Sequence, residues 1–185
     1  MNRFLLLVLC TLPLIGCGDP VSISAPVGIN LKAKSSDTAN GTVTSQKSIE
    51  SESGNPFKVF VDDARRELDG QSPSRVELKS LTLTLGAGSV GVASLSEVFN
   101  GRVEVLFLMN ESNNTYAAGH LAEPSGSGPV AMEVDFDSEA LPDADYPRFL
   151  DGKFNVVLRG SAAPTFMSKG ADVDFQTTFS FTAFE

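Results

Sequence analysis

The chain has 185 residues, 14 basic against 23 acidic side chains, a formal charge of −9, one histidine, two cysteines and no tryptophan. That length suits one domain of ordinary size, large enough to bury a core without covalent staples. The acidic balance, with no cluster of Lys and Arg, excludes nucleic acid as a partner, and one histidine with two cysteines excludes zinc fingers, multi-imidazole metal sites and dense disulfide frameworks.

Asn2 and Arg3 give a short basic start, and Phe4 to Ile15 form an apolar run broken only by Thr11 and Pro13. A spanning helix needs about 20 apolar residues. The charged start, short apolar centre and small residue Gly16 instead predict an export signal over residues 1–16. Leu14-Ile15-Gly16-Cys17 closely resembles the lipobox of bacterial lipoproteins. The resemblance implies cleavage before Cys17, diacylglycerol on its thiol and a fatty acid such as palmitate on its new amine. Residues 17–20 then form the lipidated cysteine and a short tether to the membrane, and each buried CH₂ adds about 0.8 kcal/mol to the anchor. In the enterobacterial sorting pattern an aspartate directly after the cysteine retains the protein on the inner membrane. Here Gly18 holds that place and Asp19 follows, which points to the outer membrane. Cys10 leaves with the signal and Cys17 is used by lipid, so the mature domain has no thiol for an internal disulfide in the oxidising envelope. Its balance, with Arg3 gone, is −10.

Residues 21–185 read as a single domain. Val21 to Ala33 alternates apolar and polar residues and carries Pro26 and Gly28, which predicts an edge strand with a bulge. Residues 35–54, rich in Ser, Thr, Asn and Gly, read as a loop or flexible arm. Asn55 and Pro56 cap and open a helix over 56–68, with Phe57, Phe60, Val61, Ala64 and Leu68 on one face and Asp69-Gly70 as its stop. From Arg75 the period becomes two. Val76 and Leu78 share one parity and Leu81, Leu83 and Leu85 the other, which predicts a bulge near Lys79-Ser80. Ser94 to Phe99 reads as a capped helical turn. Strands follow over Val103 to Met109, Thr115 to Ala122 and Pro129 to Phe136, separated by turn-forming clusters. Residues 137–152 are acidic and irregular, with a short turn at 146–152 packed by Phe149 and Leu150. Alternating apolar residues return at Phe154, Val156 and Leu158 and again from Val173 to Ala183. The fold class is therefore mainly β: an antiparallel β-sandwich of about seven or eight strands, immunoglobulin-like or jelly-roll-like, with one amphipathic helix. The aromatic C-terminal strand would also suit a membrane barrel, but too few segments reach the length such strands need.

Chemistry is sparse. His120 is the only imidazole, and no Gly-x-Ser-x-Gly elbow accompanies it, so a Ser-His-Asp device has no support. Asp135, Asp137, Glu139, Asp143 and Asp145 gather around one loop and make Asp135, Asp137, Asp143 and Asp145 candidate calcium ligands. Their spacing departs from the EF-hand pattern, and a solvated acidic loop is the competing reading. Two of these acids could also serve glycoside cleavage if they flanked a groove, although the aromatic platforms of sugar sites are missing. The thirteen phenylalanines mostly fall at core parity or in the signal. The expectation is a lipid-anchored structural or binding module with no catalytic residues and no cofactor, whose partner is an envelope protein or glycan. The alternatives are an apolar-ligand carrier with a pocket between the sheets and an acid-pair or calcium-dependent hydrolase.

Overall fold

The computed structural model describes residues 21–185; the expected export signal 1–16 and the expected lipidation site Cys17 with its tether to residue 20 lie outside the described residues. Among the described residues eight strands are formed: β1 (Ser22–Lys34), β2 (Thr42–Ser48), β3 (Arg75–Leu85), β4 (Phe99–Met109), β5 (Thr115–Leu121), β6 (Val130–Val134), β7 (Phe154–Ala162) and β8 (Asp172–Phe184). Four helices accompany them: α1 (Pro56–Glu67), α2 (Leu95–Val98), α3 (Tyr146–Leu150) and α4 (Pro164–Lys169). Every pairing between strands is antiparallel, in the order β1-β8-β3-β6-β5-β4-β7-β2. The end strands β1 and β2 lie alongside each other, so the sheet is nearly closed and barrel-like.

Alternation decides which side faces in. Along β1, Val27, Ile29, Leu31 and Ala33 are buried while Asn30, Lys32 and Lys34 are exposed. An apolar interior and a polar exterior reverse the pattern of a membrane-spanning barrel. Among the described residues no helix is long and apolar enough to cross a membrane.

The interior is dominated by phenylalanine. Phe57 of α1 meets Phe181 of β8 at 5.1 Å between ring centroids and Phe154 of β7 at 5.2 Å, and Phe107 of β4 meets Phe179 at 5.5 Å. Tilted and edge-on rings at such distances are the preferred aromatic contacts. Helix α1 is built as the sequence predicts. The Asn55 side chain accepts a hydrogen bond from the Lys58 amide at 3.1 Å, and the Gly70 amide closes the far end on the Arg65 carbonyl at 2.8 Å. The parity change in β3 is also realised, as a register shift between Leu78 and Ser80.

Three local expectations are corrected. Register runs unbroken from Ser22 to Lys34, so Gly28 makes no bulge. Pro26 fits without one because the Asn30 amide and the Lys32 carbonyl point away from β8, and Pro26 shares their parity, so its missing N–H costs no ladder bond. The 35–54 arm contains β2, an edge strand paired only with β7. Its inward residues Val43 and Ser45 are buried, and its outward Thr42, Thr44 and Gln46 are solvated, so the strand needs few large apolar residues. At α2 the cap is not made by the Ser94 side chain. Glu97 accepts from the Ala93 amide at 2.6 Å instead, and that bond leads the effects that hold its carboxyl below the usual range.

Candidate functional site

The start of β3 and the segment that follows β6 enclose a polar groove. Arg75, Glu77 and Lys79 stand at alternate positions on one face of β3, while Val76 and Leu78 point into the core. Opposite them the chain after β6 makes an isolated bridge from Asp137 to Glu77 and enters a 3-10 turn at Ser138–Ala140. The buried Ser138 hydroxyl accepts a hydrogen bond from the Val76 amide at 3.0 Å, replacing a ladder partner. The resulting space, about 400 Å³, adjoins a second of about 380 Å³ bordered by Ser74, Asp143 and Tyr146; both are open and share Ser138 and Glu139.

The groove carries mixed charge. The Arg75 guanidinium lies 4.2 Å from the ring centre of Phe184, its register partner on β8, with Lys79 also above that ring at 5.5 Å. Arg75 also pairs with Glu77 and, at 3.7 Å, with Glu139, while Lys79 pairs with Glu77. The Lys79 hydrogen bond, followed by the charges of Arg75 and Lys79, holds Glu77 below the usual carboxylate range.

The four candidate aspartates are put to separate uses. Asp145 is buried and receives hydrogen bonds from the Asn114 amide group at 2.7 Å, the Tyr116 hydroxyl at 2.7 Å and Arg148 at 3.1 Å. Its carboxyl is held low, by Asn114 first, with Tyr116, Ser112 and Arg148 adding to it against the opposing effect of burial. Burial first, and then Asp145, pushes the Tyr116 phenol up. Tyr146, whose hydroxyl donates to the Pro73 carbonyl at 2.9 Å, is pushed up by burial to about 12. Asp137 accepts from the Glu139 amide at 2.9 Å as the cap of the 3-10 turn. Asp143 is exposed at the rim of the second space.

Asp135 lies with His120 instead. His120 Nδ1 is 2.7 Å from Asp135, and Nε2 is 3.1 Å from Glu133, its register partner across β5 and β6. A neutral imidazole can donate from one nitrogen only, and the protonated ring from both. Among the described residues no group of three or more His, Cys, Asp or Glu side chains is placed to hold a metal ion.

The gap inside the core, lined by Val27, Ile49, Phe57, Phe107 and neighbouring rings, amounts to about 140 Å³ of interstitial space with no room for a water molecule. It gives an apolar ligand no room, since small-molecule pockets run from about 300 Å³ upward.

Arg75, Lys79 and Phe184 were not read as functional residues from the sequence. The signal for Arg75 and Lys79 is the Arg-x-Glu-x-Lys run from Arg75 to Lys79, which period two places on one face. The meeting of His120 with Glu133 had no such signal, because it depends on register across the turn at 122–129.

No protein-family model and no curated protein matches the chain. One solved structure, the empty head of Turnip Yellow Mosaic Virus, aligns over 99% of this chain and 90% of its own at 12% identity, with a TM-score of 0.32. Likeness at that level carries no argument about fold or function.

Proposed function

We propose that the chain is a lipid-anchored bacterial envelope protein, held through Cys17 on the outer rather than the inner membrane, whose domain is a non-catalytic structural or binding module. The observation that carries this reading is Leu14-Ile15-Gly16-Cys17 at the end of a short apolar run, with only four residues between Cys17 and β1. A filled core, and three of the four candidate aspartates (Asp135, Asp137 and Asp145) already bonded to neighbouring side chains and amides, support a module that presents surface rather than a reaction chamber. The domain is read as a β-sandwich in which β1, β8 and β3 face β5, β4, β7 and β2. The shortness of β6, which matches three residues of β3 and two of β5, supports that division. An envelope protein or surface glycan would dock on loops at one end or on an exposed sheet edge. Replacing Cys17→Ser is expected to move the protein from membranes to the soluble fraction. Cross-linking on intact membranes is expected to capture a partner, and recovery of monomer alone together with turnover of some substrate would overturn the proposal.

A further inference from the structure

A lipid anchor at Cys17 would leave only a short tether between the membrane and the domain. Cys17 and Ser22 are separated by Gly18, Asp19, Pro20 and Val21, and five residue steps span at most about 18 Å even when fully extended. Ser22 pairs with Phe184, and Phe184 pairs with Arg75. The same end carries the 110–114 turn and the 137–153 segment, because Asp137 bridges to Glu77, two residues from Arg75, and antiparallel pairing brings Leu108 opposite both Thr115 and Asn155. The opposite end carries Lys34 paired with Asp172, Val90 bridged to Asp172, and Leu85 bonded to Ser127. A strand of 13 residues separates the two ends by about 30–40 Å, allowing for strand tilt.

Resting on the lipid-anchor reading above, we infer that the domain stands end-on at the bilayer. The Ser22, Arg75 and Phe184 end faces the lipid headgroups, with the polar groove on that side, and the Lys34, Val90 and Ser127 end projects outward. The occupant of the inner surface is the lipid headgroup layer. It is compatible with that surface because Arg75 and Lys79 stand beside Glu77 and Glu139, a mixed-charge lining that anionic lipids would neither bind strongly nor repel.

Because the lipidated domain has no other thiol, single cysteines can report its orientation. Ser72 lies exposed just before β3, and Ser36 lies exposed just after β1. Fluorophores on Ser72→Cys and Ser36→Cys, in lipidated protein reconstituted into phosphatidylethanolamine and phosphatidylglycerol vesicles carrying a headgroup acceptor dye, should differ. Energy transfer from position 72 is expected to exceed that from position 36 several-fold. Equal transfer from both positions, or stronger transfer from 36, would overturn the end-on orientation. Loss of all transfer, with a peptide mass showing no acyl group on Cys17, would overturn the anchor reading itself.

Discussion

Strands β8 and β6 are both flanked on two sides, yet they are held by different means. Strand β8 runs against β1 from Asp172 to Phe184 without a break and against β3 over nearly the same span, and it drives Phe175, Phe179 and Phe181 into the core. Strand β6 matches only Leu81 to Leu83 of β3 and Gly119 and His120 of β5. Side chains take over where its ladder stops: His120 with Asp135 and Glu133, Ser138 on Val76, and Asp145 on Asn114 and Tyr116. Long ladders over an aromatic core make the β8 side cooperative, whereas a join made of carboxylate hydrogen bonds is local and sensitive to pH.

The largest effect is expected from Phe181→Ala. It removes a ring in contact with Phe57 and Phe179 and should cost about 3–5 kcal/mol, read as a lower urea midpoint for the whole domain. Asp145→Asn acts on the β6 side and should cost about 1.5–3 kcal/mol at neutral pH. Its pH dependence is the sharper readout. The folded Asp145 carboxyl is held below its ordinary value, so its contribution is complete above the unfolded pKa of about 3.9 and is lost as pH falls through the folded one. Wild-type stability should therefore drop between about pH 4 and lower values, and Asp145→Asn should flatten that drop; identical curves would remove Asp145 from the account.

Gly119→Ala tests the join itself, because a Cβ there would collide with the Glu133 carbonyl oxygen of β6. A cost of about 1–3 kcal/mol is expected, with faster amide exchange at 130–134 and unchanged protection at 175–181. Equal loss of protection in both strands would show that the two sides open together. The smallest effect belongs to Asn55→Ala, which removes the α1 cap beneath β8 and should cost about 1 kcal/mol in a thermal melt.

What could be read from the sequence divides along the same line. Segments with large residues at a regular period were legible: α1 with its Asn55 cap, the parity change at Lys79 and Ser80, and the strand from Val173 to Ala183. Strand β2 was not, because an edge strand with one buried face can be made from Thr, Val, Ser and Gln. Helix α4 was also missed, since it buries a single large side chain, Phe166. The acidic loop showed its composition but not its uses. Whether Asp135 meets His120 or another acid depends on register, and whether Asp145 is solvated or buried depends on how the 137–152 segment folds back against Asn114 and Tyr116.

The membrane anchor is the claim on which the functional reading turns, and the mass of the N-terminal peptide from membrane-extracted protein tests it most directly. The account predicts a peptide that begins at Cys17 and carries diacylglycerol and fatty-acid mass. A peptide beginning elsewhere, or one with an unmodified Cys17, would contradict it.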